Sequence, residues 1–180
     1  MTVLRRYYKK TEAEITALHT WGWEMETALQ AILEGDLNES IQKTKRRFDA
    51  VDFLGTTVQA EVKCRRRIDK KGRTILSSTY DDWLVPLSKI RAAERSSLRT
   101  AIYYYFEGDG RLFKLWADEI DWDTIKCETP WFHTDKHYYV PANLWTEVDA
   151  CPGFDFPDSN PELSASGDSC SEDATDAVPV

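Results

Sequence analysis

Hydrophobic and polar positions near the start of the chain recur with the period of a helix. After a basic segment over residues 1–10, Thr11 and Glu14 have the spacing of an N-terminal capping box. A helix is therefore predicted from Thr11 to about Glu34, with Gly35 as its C-terminal stop. Its apolar stripe, which is expected to pack into the core, consists of Leu18, Trp21, Met25, Ala28, Leu29 and Ile32.

Residues 48–63 instead alternate between apolar and polar positions, which predicts a β-hairpin with one buried face. Gly55 and Thr56 are predicted to form a two-residue type II′ turn, because that turn requires glycine at its first central position. The pairs facing each other across the hairpin are then Asp52 with Gln59 and Ala50 with Glu61. Side chains at every second position share a face. The face predicted to be charged carries Asp52, Gln59, Glu61 and Lys63.

Further along, the pattern predicts a third strand, a second helix and a second hairpin. Residues 36–47 are expected to form a short polar helix or a connection. Residues 83–87 predict an edge strand, because Pro86 has no N–H to donate to a neighbour. Ser88 is expected to cap a helix that runs to Ser97. The second hairpin pairs residues 98–106 with residues 111–116 around Gly108, Asp109 and Gly110. The predicted order is helix, strand, strand, strand, helix, strand.

Length and composition indicate one folded domain followed by a polar tail. The chain has 180 residues, of which 42% are hydrophobic and 12% aromatic, enough for a single core. We expect a domain over residues 1–150 and an acidic, disordered tail over residues 151–180. No apolar run approaches the ~20 residues of a membrane span, and residues 1–10 are not followed by the apolar stretch of a signal peptide. A cytoplasmic protein is expected.

Cysteines and histidines show no metal-binding pattern in this sequence. The four cysteines are Cys64, Cys127, Cys151 and Cys170. They form no CxxC pair, so free thiols are expected rather than a zinc site or a disulfide framework. His133 and His137 lie four residues apart in an aromatic segment with proline at both ends, which favours loop and strand over helix. A structural role or contact with nucleic acid is expected for both histidines.

Charge is distributed unevenly along the chain. Nine of the 31 acidic residues lie in residues 146–180, which contain no lysine or arginine, and 22 acidic residues face 23 basic residues in the remainder. Residues 43–99, which include the hairpin, contain 15 basic and 7 acidic residues, a net charge of +8. A basic region around a cluster of carboxylates suits a polyanion bound through its phosphates.

Two basic segments are the candidate contacts for phosphate. Arg65, Arg66 and Arg67 follow the hairpin directly, and Lys89 lies on the predicted second helix. We predict that these four residues bind the substrate, although a solvated charged surface is the alternative for any such run. Gln59, on the charged face, is predicted to donate a hydrogen bond to the substrate or to a water.

The charged face of the hairpin resembles the active-site hairpin of the PD-(D/E)XK nuclease superfamily. Asp52 is followed nine positions later by Glu61, Val62 and Lys63, whereas Val51 replaces the proline that commonly precedes the aspartate. The predicted element order is also that of the superfamily core. The resemblance implies an α/β, restriction-endonuclease-like fold with an αβββαβ core, a mixed central sheet flanked by helices and an extra C-terminal hairpin. It further implies a phage or prokaryotic nuclease.

The same resemblance implies a Mg²⁺-dependent deoxyribonuclease in which Mn²⁺ can substitute. Asp52 and Glu61 would be ligands of the metal, with the carbonyl oxygen of Val62 as a third, because Mg²⁺ prefers oxygen donors. Lys63 would stabilise charge on the phosphate or help to deprotonate the attacking water. DNA is the expected partner, and a homodimer that cuts two strands is an expectation from the superfamily.

A further glutamate from the first helix often joins the metal site in this superfamily. Glu24 and Glu26 lie on the two flanks of the apolar stripe, so either can reach the edge of the hairpin. The superfamily glutamate commonly follows a glycine by a few residues. Because Gly22 precedes Glu26 by four positions, the resemblance favours Glu26 as a catalytic residue and metal ligand.

Two other classes of function remain open from the residues. The first is a catalytically silent protein that keeps the nuclease fold and acts as a nucleic-acid-binding or anti-defence factor. The second is a protein-interaction module in which the acidic tail binds a basic partner. Retention of Asp52, Glu61 and Lys63 on one face favours the enzyme over the silent protein.

Overall fold

The structure is a computed structural model that describes residues 11–44, 51–69, 72–130 and 134–149. The helices are α1 (Glu12–Leu37) and α2 (Leu87–Arg95). The strands are β1 (Gln42–Lys43), β2 (Phe53–Leu54), β3 (Val58–Arg65), β4 (Asp82–Pro86), β5 (Arg99–Phe106), β6 (Arg111–Trp116), β7 (Cys127–Glu128), β8 (His137–Pro141) and β9 (Thr146–Val148). The predicted tail over residues 151–180, the basic segment over residues 1–10 and His133 lie outside the described residues.

Two sheets organise the described strands. The large sheet has the order β1-β2-β3-β5-β6-β9, and the small sheet has the order β4-β8-β7. Strands β3 and β5 run parallel, whereas their neighbours pair antiparallel. The predicted α/β class with a mixed central sheet is therefore confirmed. Along the chain, four strands, β1 to β4, lie between α1 and α2, and β5 follows α2; of these four, only β1, β2 and β3 belong to the large sheet.

Strand β5 is buried on both faces and divides the core in two. Ala101, Tyr103 and Tyr105 belong to a cluster that includes Met25 and Leu29 of α1. The alternate residues of β5 belong to a second cluster, to which α2 and the small sheet contribute; its members include Ile90, Ile102, Tyr104, Phe106, Trp83 and Val140. A central strand covered on both sides carries apolar residues at nearly every position. Helices α1 and α2 thus cover opposite faces of the large sheet.

Helix α1 begins as its capping box predicts but ends later. The Thr11 hydroxyl accepts a hydrogen bond from the Glu14 amide at 3.2 Å, and the Glu14 carboxylate accepts one from the Thr11 amide at 2.6 Å. The prediction that Gly35 ends the helix is wrong, because α1 continues to Leu37. Asn38, at φ 52°, adopts the left-handed conformation that closes the last turn. Leu37 packs against the α1 cluster, which accounts for the extra residues.

The hairpin of β2 and β3 has its turn one residue later than predicted. Phe53 pairs with Ala60 and Leu54 with Gln59, and the Gly55 amide donates to the Val58 carbonyl at 2.8 Å. The loop is therefore Thr56 and Thr57, and the predicted pairing of Asp52 with Gln59 is wrong. Ala50, predicted to face Glu61, lies outside the described residues.

Glu39 explains the position of this turn. Its carboxylate accepts hydrogen bonds from the Thr56 amide, from the Thr57 amide at 2.8 Å and from the Thr57 hydroxyl at 2.5 Å. A Cβ atom on Gly55 would lie 2.6 Å from Glu39 Oε1, so glycine is required for this close approach and not for a type II′ turn. The hydrogen bonds from Thr57 lower the pKa of Glu39.

Replacing Glu39 by alanine is expected to loosen the turn without unfolding the protein. The amides of Thr56 and Thr57 lose their acceptor, so their hydrogen exchange should become at least several-fold faster. Exchange measured residue by residue checks this. Glu128→Ala, an exposed change in the small sheet, is the matched control and should leave the turn unchanged. Unaltered exchange at the turn in Glu39→Ala would contradict the role of Glu39.

Two predictions about the remaining elements need correction. Residues 42–43, predicted within a polar helix or connection, form strand β1 of the large sheet. The edge strand predicted at residues 83–87 is confirmed as β4, but it is the outer strand of the small sheet and pairs with β8. Helix α2 starts at Leu87 directly after Pro86, so Ser88 lies within the helix and does not cap it. The second hairpin, β5 with β6, is confirmed.

A partly buried ionic cluster ties the end of α1 to the large sheet. The Asp36 carboxylate accepts hydrogen bonds from the Tyr103 hydroxyl at 2.6 Å and from Lys114 Nζ at 2.8 and 3.0 Å. Tyr103 lies on β5 and is fully buried, and Lys114 lies on β6. Burial, together with the Asp36 carboxylate, raises the pKa of Tyr103. The cluster therefore ties the end of α1 to two neighbouring strands of the large sheet.

The remaining sequence expectations concern thiols, His137 and membrane association. Cys64 and Cys127 are free thiols as expected, while Cys151 and Cys170 lie outside the described residues. His137 is buried on β8, and its Nδ1 lies 2.9 Å from the Asp135 carbonyl oxygen, which fits a structural role. Within the described ranges, neither helix has the length and apolar character needed to cross a membrane.

Candidate active site

Strand β3 presents its polar side chains on the face opposite α1. Ala60 and Val62 belong to the cluster formed with α1. Glu61 is the register partner of Ile102, which belongs to the cluster on the α2 side. Because side chains alternate along a strand, Gln59, Glu61 and Lys63 share the α2 face. This arrangement is the one predicted from the period of the sequence.

A bulge at the start of β2 brings Asp52 close to β3. The Asp52 amide donates to the Ala60 carbonyl at 3.0 Å, although Phe53 is the register partner of Ala60. Two residues therefore lie opposite one, which is the geometry of a β-bulge. The Asp52 carboxylate accepts a hydrogen bond from the Val62 amide at 2.7 Å. Since the N–H and C=O of a strand residue point to the same side, the Val62 carbonyl also faces Asp52.

Glu61 is a buried carboxyl group surrounded by charge. It is 3% exposed, and Lys89 Nζ on α2 donates to its Oε2 at 2.8 Å. Lys63 Nζ lies 3.9 Å from its Oε1. Burial and the negative charge of Asp52 raise the pKa of Glu61 to about 8, against the opposing effect of the two lysines. The site thus disfavours two ionised carboxylates unless further positive charge is present.

Glu26, and not Glu24, lies on the site side of α1. Burial and the negative charge of Asp52 raise the pKa of Glu26, whereas Glu24 is exposed. Lys43 Nζ on β1 forms an ion pair with Glu26 at 3.0 Å and lies 3.7 Å from the ring centroid of Trp23. Lys43 therefore provides positive charge on the α1 side, as Lys89 does on the α2 side.

The oxygen donors of the site fit a Mg²⁺ ion. Among the described residues, no group of three or more His, Cys, Asp and Glu side chains is arranged to hold a metal ion. Mg²⁺ does not require such a group, since it keeps several waters and is commonly bound through one or two carboxylates and substrate phosphate. The donors that fit are the carboxylates of Asp52 and Glu61 and the Val62 carbonyl. Glu26 is paired with Lys43 through Oε2.

Gln59 has a different environment from the one predicted. Its side chain is 6% exposed, and its Nε2 donates to the Thr100 hydroxyl on β5 at 2.7 Å. Gln59 and Thr100 are partners in the parallel register of β3 and β5. The amide therefore joins the two central strands and does not project toward a substrate.

The three arginines after the site occupy three different surroundings. Arg65 donates to the Tyr104 hydroxyl through Nε at 3.1 Å and Nη2 at 2.8 Å. The Arg66 guanidinium lies 5.0 Å from the ring centroid of Trp21 on α1. Arg67 is exposed. Arg65 and Arg67 therefore remain accessible to a phosphate from different sides, whereas Arg66 is held against α1.

Sequence reasoning missed Lys43 as part of this site. The sequence predicts a short polar helix or a connection over residues 36–47. Lys43 is the first residue of a basic run within that segment. No local pattern marks Gln42 and Lys43 as an edge strand before the hairpin. Two residues are too few for a periodic pattern, so only the tertiary pairing of Lys43 with Phe53 reveals the strand.

Comparisons with known proteins give a distant similarity at the level of solved structures. No protein-family model matches the chain, and no curated protein matches it. Among solved structures, the chain is similar to a nuclease from a fusselovirus, with 11% sequence identity and a TM-score of 0.40. The alignment covers 71% of this chain and 81% of that nuclease. A similarity at this level does not define a function.

Proposed function

We propose that the protein is a metal-dependent nuclease that hydrolyses phosphodiester bonds in DNA. The observation that supports this most directly is the grouping of Asp52, Glu61 and Lys63 around the end of the β2–β3 hairpin. Two carboxylates at one place are unfavourable unless a cation lies between them. A lysine next to that cation site is suited to a phosphate or to the attacking water.

Each residue has a defined task in this proposal. Asp52 and Glu61, with the Val62 carbonyl, hold Mg²⁺, and the bulge fixes the Asp52 carboxylate by its hydrogen bond to the Val62 amide. The chemistry supplied by the bound cation is activation of a water and neutralisation of charge on the phosphate. Lys63, whose side chain is 40% exposed, contacts the non-bridging oxygens of the phosphate or the water. Lys89 orients the Glu61 carboxylate.

The test is a cleavage assay with one substitution in the site and one outside it. Lys63→Met removes the charge and keeps most of the side-chain volume, so cleavage should fall by roughly 10²- to 10⁴-fold. Lys136→Met, an exposed lysine before β8, is the matched control and should cleave like the wild type. Supercoiled, linear, single-stranded and branched DNA should be compared with Mg²⁺, Mn²⁺ and EDTA. Wild-type cleavage by Lys63→Met, or cleavage in EDTA, would contradict the proposal.

A second candidate is a catalytically silent nucleic-acid-binding protein with the same fold. The observation that favours it is that two lysines already pair with the site carboxylates, Lys43 with Glu26 and Lys89 with Glu61. In this case DNA binding in gel shifts would be the same with Mg²⁺ and with EDTA, and no substrate in the panel would yield product. A product that appears only with the divalent metal excludes this candidate.

A further inference from the structure

A cavity of about 260 Å³ opens beside the candidate active site, on the same face of the large sheet. It lies at the C-terminal ends of β3 and β5, where the small sheet covers them. Five of the eight residues that line it are aromatic. The lining residues that matter here are Arg65, Tyr80, Asp82, Trp83, Tyr104 and Tyr139.

Register places this cavity next to Lys63. Arg65 follows Lys63 by two positions on β3, so both side chains lie on the α2 face, about 7 Å apart along the strand. Tyr104 is the parallel partner of Lys63 on β5. A phosphate held at Lys63 and a group held in the cavity are therefore close enough to belong to neighbouring parts of one nucleic-acid strand.

The cavity is also lined by charged side chains, among them Arg65 and Asp82. The two hydrogen bonds from Arg65 to the Tyr104 hydroxyl fix the plane of the guanidinium, which carries five N–H groups in all. Trp83 is 3% exposed, and its indole N–H has no hydrogen-bond partner among the described residues. Asp82, which is exposed, adds an acceptor at the rim. The Arg65 N–H groups that do not bind Tyr104 favour a ligand that offers acceptors.

Tyr80 provides an open stacking surface at the mouth of the cavity. Its side chain is 47% exposed, which is high for a large aromatic residue. Bases stack on such rings because every base presents a flat π face. The volume is below the ~300 Å³ lower limit of typical small-molecule sites, so it suits one heterocycle and not a folded ligand. The net charge of +8 over residues 43–99 favours an anionic polymer over an uncharged aromatic compound.

We propose that this cavity binds one unpaired base of the DNA strand held at the active site. The inference rests on the proposed nucleic-acid function and adds a substrate class to it: DNA with a single-stranded nucleotide, or one that leaves the duplex, next to the cleaved bond. A paired base cannot enter, because its faces are stacked and its edge is hydrogen-bonded within the duplex. The exposed ring of Tyr80 stacks on the base, and Arg65 contacts its edge.

The experiment uses the full chain and an oligonucleotide with 2-aminopurine at an unpaired position, in EDTA so that no cleavage occurs. Stacking in the cavity should quench the fluorescence of 2-aminopurine on binding. Tyr80→Ala removes the stacking ring and should weaken binding of this DNA by about 5- to 150-fold and restore the fluorescence. Tyr80→Phe keeps the ring and should behave like the wild type. Binding of fully paired duplex should be nearly the same in all three proteins.

The possible outcomes separate this inference from the nuclease proposal. Quenching that is lost in Tyr80→Ala and kept in Tyr80→Phe supports the cavity, even if no DNA is cleaved. Metal-dependent cleavage with no quenching, or with equal quenching in Tyr80→Ala, overturns the cavity while leaving the nuclease proposal intact. Equal affinity of the wild type for paired and unpaired DNA also overturns it, as does the absence of any DNA binding.

Discussion

Replacing Glu61 by glutamine is expected to abolish metal-dependent cleavage and, without metal at alkaline pH, to stabilise the fold. Glutamine keeps the size of the side chain but cannot carry the negative charge that a divalent cation requires. The pKa of Glu61 is raised from 4.5 to about 8 by burial and by Asp52. The folded state therefore keeps a proton that the unfolded state has released throughout this interval.

The sign of the pH dependence follows from this difference. Between about pH 4.5 and about pH 8 the folded state binds more protons than the unfolded state, so the free energy of unfolding falls as pH rises. Above pH 8 both states are ionised at Glu61, and its contribution is constant. At about 1.4 kcal/mol per unit of pKa difference, the total is a few kcal/mol. Glu61→Gln has no group that ionises at this position, so its free energy of unfolding should not fall in the same way. At alkaline pH it should be more stable than the wild type by a few kcal/mol.

Urea denaturation in EDTA over this pH interval measures the effect directly. The wild type should lose stability toward alkaline pH, and Glu61→Gln should show a much flatter profile. Glu128→Gln, the same change at an exposed position, should follow the wild type. Added Mg²⁺ should stabilise the wild type at alkaline pH and leave Glu61→Gln unchanged. Parallel pH profiles for the wild type and Glu61→Gln would contradict the raised pKa of Glu61.

Replacing Asp36 by alanine is expected to destabilise the protein by about 3 kcal/mol. The change leaves the Lys114 ammonium and the Tyr103 hydroxyl without their shared acceptor, and the side chain of Lys114 is only 15% exposed. Removal of one partner of a buried pair costs more than the pair contributes, because the other charge stays buried. Thermal or urea denaturation at neutral pH measures the loss.

Two further variants distinguish this cluster from ordinary surface charge. Asp36→Asn keeps an acceptor for Tyr103 while removing the charge that pairs with Lys114, so it should be intermediate in stability. Asp118→Ala breaks an exposed pair with Arg99 and should cost much less. Equal losses in Asp36→Ala and Asp118→Ala would show that the cluster acts only as surface charge.

Features of the site that depend on local period could be predicted from the sequence. Gln59, Glu61 and Lys63 share a face because alternation along β3 alone requires it. The turn could not be placed in the same way, because its position depends on Glu39, which lies outside the hairpin and reaches Thr57 through a tertiary contact. The ion pair between Glu61 and Lys89 could not be predicted either, because the two residues are 28 positions apart in the chain.

The same distinction applies to the fold. The strand at Trp83 was predicted from its apolar residues, but its place in the small sheet depends on pairing with Val140, far along the chain. Strand β1 escaped prediction because two residues define no period. The predicted order has three strands between the two helices, whereas the chain has four, because β1 is an additional strand. Local pattern thus indicates every helix and strand before β5 except β1, while long-range pairing decides which strands share a sheet.

The parallel pairing of β3 with β5 has a consequence for how fast the protein can fold. Gln59 and Thr100, which are partners in this register, are separated by 41 positions. The intervening chain must close before the pair gains any hydrogen bonds, and such non-local closure slows folding. Glu61 is buried by contacts that include Lys89 from within this closing segment. The ion pair between Lys89 and Glu61 can therefore form only after this segment has closed.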